Sequence, residues 1–440
     1  MKKTRFVICG LSTRGIYHFI RPLVGKNTDG GPNFTTHAEL VGILDADQKR
    51  VEEFLKKESL HIPYYPADAV HRMLKETKPD VLIAVGPDVT HCDHIIAGLE
   101  AGCNVIAEKP MVINSEQVRR VQAAEKKSGR TVRVAHNYRY TPTTKVVKRM
   151  ILDGKLGRII NVEFTYNLDT FHGSSYYYRW NRDRATSGGL SIHKGSHHFD
   201  LINWLVNDTP VEVFAFGGLN YYGAKGALRP HDSQGKPLSA AEEKKNCPIF
   251  QKHYAKRLAP ESNEISTNWD PLNLPYDVQY PPEKRRYIYD DTIKIEDTYN
   301  AVVRYQGGAT MSYSCNFCTP WEGYILAING TAGRIETSHR TDPDPTGKTT
   351  PAPETGIITF YPLFGGKEVT EVPPVAGGHG GSDFLIRDDL ILGPSAESKE
   401  LQLVAGSNEG AYAIAVGEAV WRSIQEHRSI SIPGLLAGNY

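Results

Sequence analysis

Three imidazoles, an amine and a carboxylate lie together in one short segment near the middle of the chain. The segment covers residues 188–200 and reads GGLSIHKGSHHFD. A neutral imidazole can accept a proton because its unperturbed pKa is about 6.5, and an ammonium group stabilises the negative charge of an alkoxide. The segment therefore predicts a site of proton transfer.

A second amine stands in Glu108-Lys109-Pro110, directly after the apolar residues 105–107. This triplet closes what the sequence predicts to be a dinucleotide-binding domain and would place Lys109 near the reactive end of a nicotinamide. Oxidising an alcohol needs a base for the O–H proton, a cation for the incipient alkoxide and a nicotinamide that receives the hydride. The two segments together predict an enzyme that transfers a hydride and a proton.

The loop that would bind the dinucleotide follows a predicted strand over residues 5–9 and precedes a predicted helix. It reads GLSTRG, a variant of the glycine fingerprint in which Gly10 permits the tight turn and Gly15 permits close packing of helix on strand. Ser12 occupies the position where the backbone approaches the pyrophosphate, and its hydroxyl is predicted to bond a phosphate oxygen. The predicted cofactor contacts of the loop are Gly10, Ser12, Thr13, Arg14 and Gly15.

Asp45 ends the next predicted strand, and its carboxylate can accept hydrogen bonds from the adenosine ribose. Its charge would repel the extra phosphate of NADP, so NAD is expected and NADP is the weaker alternative. Arg14 and Arg50 could soften that preference. The spacing from Gly15 exceeds the usual value of about 20 residues because a polar insertion occupies residues 27–33.

The order of predicted elements indicates an α/β protein of two domains. At 440 residues the chain exceeds the roughly 250 to 300 residues of a single core. Alternating strands and helices predict a doubly wound parallel sheet, an NAD-binding Rossmann domain at residues 1–140. Residues 141–440 predict an α+β domain with a large, mainly antiparallel open sheet for substrate binding and oligomerisation, with a long loop insertion at about 221–291.

The composition excludes several partners. Lys and Arg number 51 against 50 Asp and Glu, so the broad positive field that attracts nucleic acid or an anionic membrane is missing. No apolar run reaches the roughly 18 residues of a membrane span, and the apolar run behind the basic start is too short for a signal peptide. We expect a cytoplasmic protein with reduced cysteines, a small-molecule partner, no nucleic acid and no membrane. The C-x-x-C of Cys315 and Cys318 is predicted to lie in a sheet strand.

The chain resembles the Gfo/Idh/MocA family of sugar oxidoreductases over nearly its whole length. The resemblance is carried by the glycine loop, GPDVTH at residues 86–91, Glu108-Lys109-Pro110, NYR at 137–139, Trp180 with Arg182, residues 189–200, and GHGGSD at 378–383. It implies that Lys109 lies beside the nicotinamide and the substrate, and that His197 is the base that removes the hydroxyl proton.

The resemblance also implies further contacts to both ligands. The cofactor would contact Pro87, His91, Glu108 and Lys109 in addition to the glycine loop. The substrate, a small carbohydrate, would contact Asn137, Arg139, Trp180, Arg182, His193, Lys194 and His379. The aromatic faces of Trp180 and of the run YYYR at residues 176–179 predict a wall on which a sugar ring stacks; filling of the interdomain core is the alternative for the tyrosines.

His193 departs from the family pattern, because many members carry a carboxylate four residues before the catalytic histidine. A spacing of four places His193 and His197 on one face of a helix, where His193 would join Lys109 and His197 as a catalytic residue. Such histidine pairs also bind metals, but no HExxH motif or cysteine set accompanies them, and no metal is predicted.

These features predict an NAD-dependent oxidoreductase acting on a secondary hydroxyl of a sugar, a glycoside or a polyol, with C3 of a glucoside preferred. One alternative is a glycosidase that retains its NAD and acts by transient oxidation, elimination, hydration and re-reduction; its additional base could be His193 or Lys194. Another is a binding protein that has lost catalysis. A homo-dimer or homo-tetramer is expected, since a large antiparallel sheet needs cover on one face.

Overall fold

The computed structural model describes residues 2–238, 242, 245–253, 272, 274, 278, 286–341, 355–375 and 381–439. Much of the loop predicted at about 221–291 lies outside these ranges, as does His379. Strands and helices of the described residues are numbered separately in chain order.

The first half of the chain forms a parallel sheet, as predicted. Its described strands are ordered β6-β5-β4-β1-β2-β3, all pairing in parallel, and a two-residue strand from late in the chain, β15 (Ala405–Gly406), pairs antiparallel with β6. Apolar strands with both faces covered are typical of such sheets. The strand bounds are β1 Thr4–Cys9, β2 Ala38–Leu44, β3 Tyr64–Tyr65, β4 Val81–Ala84, β5 Asn104–Ala107 and β6 Val132–Val134.

Helices with local start signals connect these strands. Asp47 caps α2 by accepting a hydrogen bond from the Arg50 amide, and Asn114 caps α5 by accepting one from the Gln117 amide, which satisfies amides that a helix start leaves free. The glycine loop leads into a π-helical turn over Gly15–Ile20. The helix bounds are α1 Arg21–Leu23, α2 Gln48–Glu58, α3 Val70–Thr77, α4 Asp88–Glu100 and α5 Ser115–Ser128.

The second half contains a larger sheet. Its nine strands among the described residues are ordered β14-β13-β12-β11-β7-β10-β9-β8-β16, and each neighbouring pair is antiparallel except β7 with β10. Alternating burial along β9 shows one face packed and one face open. The bounds are β7 Ile159–Asp169, β8 Pro210–Gly218, β9 Thr298–Tyr305, β10 Thr310–Thr319, β11 Glu322–Gly330, β12 Gly333–Thr341, β13 Gly356–Pro362, β14 Glu368–Val372 and β16 Ile430–Ser431. The predicted fold class is confirmed.

Helices of the second half cover the packed face and join the two halves. The long helix α14 packs on β8, on α10 and on α5 of the first half. None of the helices in the described part combines the length and the apolarity needed to cross a membrane. The bounds are α6 Pro142–Leu152, α7 Thr170–Tyr178, α8 Arg184–Ser187, α9 Leu190–His193, α10 Gly195–Val206, α11 Pro248–His253, α12 Ser382–Leu392, α13 Ala396–Glu400, α14 Ser407–Glu426 and α15 Ile432–Ala437, with 3-10 turns at Asn137–Tyr140 and Trp180–Arg182.

The boundary near residue 140 remains a prediction. The 3-10 turn Asn137–Tyr140 links β6 to α6 at that point, whereas β15 returns from the second half to extend the first sheet. The two halves are therefore joined by shared sheet pairing as well as by the connecting turn.

Candidate active site

The glycine loop lies where the strand order of the first sheet reverses, between β1 and β4. Gly10 has φ +112°, and a Cβ there would lie 2.4 Å from the Gly86 amide nitrogen; a Cβ on Gly15 would lie 2.9 Å from the Gly10 carbonyl oxygen. Both positions therefore require the absence of a side chain. In open α/β sheets, ligands bind outside the carboxyl ends of the strands at this reversal, so the geometry fits a dinucleotide.

Ser12 bonds within the loop. Its hydroxyl donates to the Val85 carbonyl at 3.0 Å and accepts from the Gly15 amide at 3.0 Å. The hydroxyl proton of Ser12 therefore bridges the loop to the end of β4, and its bond to a phosphate oxygen stays a prediction. Thr13 follows Ser12 at the start of the helical turn.

Asp45 and Arg50 hold the other side of the loop. Asp45 accepts from the amides of Leu11 at 2.6 Å and Asp47 at 2.8 Å, and its pKa is raised because burial disfavours its charge. The fully buried Arg50 donates to the Leu11 carbonyl at 2.8 Å. The loop is clamped between a carboxylate and a guanidinium, and Asp45 lies at the strand end where a ribose is expected.

Arg14 links the loop to the rest of the site. It pairs with Glu108 at 2.7 Å and with Asp383 at 3.0 Å, and Asp383 accepts from the Asn137 amide at 2.9 Å. Burial on its own would lower the pKa of Arg14, but the two carboxylates outweigh it and raise the pKa. Asn137, predicted to bind substrate, is thus bonded to the start of α12.

Lys109 follows β5 and reaches the second half of the chain. Its Nζ lies 3.4 Å from the carbonyl oxygen of His193, and its backbone amide donates to Glu108. Burial lowers the pKa of Lys109 to about 8, opposed by the charges of Glu108 and Asp88. The predicted juxtaposition of the two chemical segments is present, with an amine whose proton is easily exchanged near neutral pH.

His193 is paired with a carboxylate from the first half of the chain. Its Nδ1 shares a hydrogen bond with an Asp88 carboxyl oxygen at 2.5 Å, and its Nε2 lies 3.1 Å from the Asn181 amide nitrogen. Burial raises the pKa of Asp88, while burial and the charge of Lys109 lower the pKa of His193. The pair therefore holds one proton between two buried groups.

Pro87 and His91 shape this end of the first sheet. Pro87 immediately precedes α4, and the ring nitrogens of the buried His91 lie 2.9 Å from the Pro110 carbonyl oxygen and 3.0 Å from that of Gly86. His91 therefore joins the β4 loop to the loop of Lys109, and fixes the shape of the cofactor cleft from behind.

His197 lies one helical turn beyond His193, near the start of α10. Its ring stacks on Tyr138 at a centroid distance of 4.4 Å and meets His136 edge-on at 6.3 Å. Burial lowers the pKa of His136, which keeps that ring neutral. His197 is 5 % exposed, and its place between two aromatic rings fixes its orientation for proton transfer.

Lys194 points away from Lys109 toward the large sheet. Its Nζ donates to the Tyr138 hydroxyl at 3.0 Å and lies 4.6 Å from the centre of the Tyr166 ring. Both contacts favour the charged ammonium. Lys194 therefore contributes a fixed positive charge at the side of the site formed by the sheet.

Two aromatic rings enclose His193. Trp180 and Tyr176 each meet its ring edge-on at 5.5 Å. Trp180 is partly exposed, whereas Tyr176 is 5 % exposed. The predicted aromatic wall lies beside the imidazole segment, with Trp180 as the member that a ligand can reach.

Two side chains predicted to contact the substrate form buried bonds within the protein. Arg139 makes a two-pronged ion pair with Asp200 at 2.8 and 2.6 Å. Arg182 pairs with Asp290 at 2.8 Å and donates to the carbonyls of Tyr177 and Tyr287. Neither guanidinium is available to a sugar.

Residues missed by the sequence reasoning complete the site. Asp88 and Asn181 were not singled out, and only the presence of Asp88 in the GPDVTH motif offered a signal. Tyr176 and Asp383 lie in segments that the sequence had indicated, the tyrosine run beside Trp180 and the GHGGSD motif. His198, by contrast, is buried, and its Nδ1 lies 2.9 Å from the Tyr313 hydroxyl oxygen, which fits a structural role. Among the described residues, no three His, Cys, Asp or Glu side chains form a group that could hold a metal.

Comparisons with known proteins cover nearly the whole chain. Residues 4–136 match a sequence model described as "Oxidoreductase family, NAD-binding Rossmann fold", and residues 148–432 match its C-terminal alpha/beta domain. The putative oxidoreductase YteT of Bacillus subtilis is 43% identical over 436 residues, which is 98% of each chain.

More distant relatives act on sugars. The D-glucoside 3-dehydrogenase of Escherichia coli is 29% identical over 121 residues, which cover 28% of this chain and 34% of that enzyme. The structure of a levoglucosan dehydrogenase in complex with NADH and levoglucosan is similar in fold, with a TM-score of 0.64 and 16% identity over 98% of this chain and 100% of the other.

Proposed function

The chain belongs to the Gfo/Idh/MocA oxidoreductase family, and from this premise we propose that it is an NAD-dependent dehydrogenase acting on a secondary hydroxyl of a sugar, a glycoside or a polyol. The observation that carries the proposal is the approach of Lys109 to His193, which brings the amine at the end of β5 against the imidazole segment. The ion pair of Arg14 with Glu108 links the glycine loop to the same place.

The residues of the site divide the work of alcohol oxidation. NAD, when bound at the glycine loop, supplies the hydride acceptor. Lys109 holds the oxygen of the hydroxyl as negative charge develops, and His197 removes its proton. His193, bonded to Asp88, positions the oxygen-binding end of Lys109 through its carbonyl. Asp88 thus brings a carboxylate to the place where many relatives carry one at the position of His193.

NAD is favoured over NADP by the surroundings of Asp45. Its carboxylate stands at the end of β2, where a 2′-phosphate would meet a like charge. The two arginines that might have offset this charge are bonded elsewhere, Arg50 to the Leu11 carbonyl and Arg14 to Glu108 and Asp383. No cation among these is left to bind the extra phosphate.

The substrate class follows from the aromatic and charged lining. Trp180 presents a partly exposed ring beside His193 on which the C–H face of a pyranose can stack, and Lys194 and Tyr138 offer groups for sugar hydroxyls. We propose C3 of a glucoside as the position oxidised. The D-glucoside 3-dehydrogenase named above supports this choice by its activity.

The open face of the large sheet supports a homo-dimer or homo-tetramer. Phe216, Val302 and Ile325 are 64%, 53% and 52% exposed on three strands of that face, and a large sheet with one open face needs cover. All six cysteines are free thiols, which fits the reducing cytoplasm as its compartment.

Product analysis tests the proposal. Purified protein is incubated with NAD and a panel of glycosides and polyols, and products are identified by mass spectrometry while NADH is quantified. A keto sugar matched mole for mole by NADH is the expected result. Free sugar and aglycone without net NADH would instead establish the glycosidase with retained NAD, and unchanged biological activity in Lys109→Ala would establish a binding protein.

A further inference from the structure

A chain of three hydrogen-bonded groups lies on the second half of the molecule, beside the imidazole segment. The Tyr176 hydroxyl is 2.9 Å from His172 Nε2, and His172 Nδ1 is 2.9 Å from Glu322 Oε1. Tyr176 and His172 stand one turn apart on α7, and Glu322 begins β11. The arrangement is that of a hydroxyl, an imidazole and a carboxylate in series, which activates the hydroxyl oxygen for proton transfer.

The charge state of Glu322 fixes the direction of these bonds. Burial opposes its ionisation, but His172 and Lys194 outweigh burial and lower the pKa of Glu322 to about 2. An ionised carboxylate only accepts hydrogen bonds, so His172 Nδ1 donates to Glu322, and in the neutral imidazole Nε2 accepts the Tyr176 proton. The remaining lone pair of the Tyr176 oxygen is then free to accept a proton from a neighbouring molecule.

The chain of groups connects the interior to solvent. Tyr176 is 5 % exposed and meets the His193 ring edge-on, whereas the side chains of His172 and Glu322 are 33% and 23% exposed. A proton taken up at Tyr176 can therefore leave through His172 without passing His197.

The other groups near this side of the site are unsuited to act as a second base. His193 has both ring nitrogens bonded, to Asp88 and Asn181, and the ammonium of Lys194 is stabilised by Tyr138 and Tyr166. Tyr176, by contrast, has an imidazole ready to receive its proton.

We infer that Tyr176, backed by His172 and Glu322, is a second base that removes the C–H proton next to the carbonyl formed by oxidation. The Tyr176 oxygen takes the proton from carbon as its own proton moves to His172 Nε2, and the C–H electron pair becomes the enolate, whose oxygen Lys109 holds. The cycle is reversible, and reprotonation by a solvent proton restores the ketone. This inference rests on the proposed oxidation.

Deuterium exchange tests the inference. The enzyme is incubated with NAD and methyl glucosides of both anomers in D2O, and recovered glycoside and keto product are analysed for deuterium at the ring carbons. The expected result is deuterium at a carbon next to the one oxidised. Tyr176→Phe should reduce the ratio of exchange to NADH formation at least roughly tenfold, as loss of an acid–base group does, and His172→Gln should reduce it as well.

Tyr178→Phe is the matched control, since it removes one hydroxyl from a buried tyrosine of the same helix and should leave the ratio unchanged. NADH formation by the parent enzyme without deuterium, or full exchange in Tyr176→Phe, would overturn the inference and leave the dehydrogenase intact. Absence of any NADH or keto product, with no deuterium in the recovered glycoside, would overturn the proposed oxidation itself.

Discussion

The glycine loop at residues 10–15 and the imidazole segment at residues 193–198 differ in how completely the polar groups around them are hydrogen-bonded within the protein. At the loop, Ser12 donates to the Val85 carbonyl, and the neighbouring Asp45 and Arg50 form hydrogen bonds with the Leu11 backbone. Around the imidazole segment, the described residues include buried polar atoms without a hydrogen-bond partner in the protein, namely both ring nitrogens of His136, Nε2 of His198 and Oγ of Ser196.

The difference separates a rigid binding frame from a chemical site. Buried polar atoms are nearly always paired in proteins, and unpaired ones mark places where function outweighs stability. The loop presents a fixed backbone to a cofactor, while the imidazole segment keeps neutral, buried groups close to a cleft. Substitutions in the loop should therefore change binding, and substitutions in the segment should change turnover.

The largest expected effect is on turnover in His197→Ala. Removing the base should lower kcat by about 10² to 10⁴-fold, while NAD binding should be little changed, because the predicted dinucleotide contacts lie in the glycine loop of the first half and His197 lies on α10 of the second. Steady-state kinetics and NAD titration measure the two effects. His198→Asn is the control, since that ring packs on Tyr313 and its loss should lower Tm. An equal loss of turnover in both variants would contradict the division between frame and site.

The pH dependence of oxidation should report Lys109. Its cation is needed to hold the alkoxide, and with a pKa lowered to about 8 by burial, kcat should fall above that pH by roughly tenfold per unit. Glu108 raises the pKa of Lys109, so Glu108→Gln should move the fall to lower pH. Rates measured from pH 6 to 10 in the parent enzyme and in Glu108→Gln test both expectations. If kcat of Lys109→Ala still falls at the same pH, the fall does not report the pKa of Lys109.

Gly10→Ala should affect binding more than chemistry. The new Cβ would lie 2.4 Å from the Gly86 amide nitrogen. This contact is too short, so the ends of β1 and β4 would have to move apart where the cofactor is expected. We expect NAD affinity to fall by roughly tenfold or more, a loss of at least about 1.4 kcal/mol, together with a lower Tm. Gly30→Ala is the control, because that residue also has positive φ but nothing lies within 4 Å of its Cβ. Calorimetric titration should find its NAD affinity unchanged.

Asp45→Ser should change cofactor preference. Removing the carboxylate eliminates the like charge that would repel a 2′-phosphate, so the ratio of kcat/KM for NAD to that for NADP should fall by roughly tenfold. The exposed Glu52→Gln, in the adjacent helix, changes charge by the same amount and should leave the ratio alone. A preference for NADP in the parent protein would show that Asp45 does not discriminate between the two cofactors at the adenosine ribose.

Arg139→Met should have the smallest effect on turnover. It breaks a buried ion pair with Asp200 and leaves that carboxylate uncompensated, which should lower the free energy of unfolding by about 3 to 5 kcal/mol. Turnover per folded molecule should be unchanged, because neither group reaches the cleft. Denaturant unfolding and kinetics normalised to folded protein distinguish this from the substrate contact predicted from sequence.

Much of the fold was predictable because its signals are local. A few consecutive residues are enough to predict the strand at residues 38–44 and the helix capped by Asn114. In the second half, apolar runs predict strands at about residues 159–166, 211–217, 295–305, 310–317, 324–329 and 357–361, and these correspond to β7 to β11 and β13. β12 and β14 carry no such signal, since Gly333–Thr341 and Glu368–Val372 are polar and lie toward the outer edge of the sheet. The large, mainly antiparallel sheet was still predicted correctly, because the other strands were enough to indicate it.

The sequence by itself determined that a glycine loop, a lysine after β5 and a histidine-rich helix start belong to this protein, since each is a contiguous pattern of residue types. Only the tertiary structure decided what each side chain does. Arg139 and Arg182 carry guanidinium groups that could bind a sugar, yet both form buried ion pairs. Asp88 and Tyr176 come from distant elements to contact His193. Partners are chosen through space, at distances of a few ångströms that chain spacing does not encode.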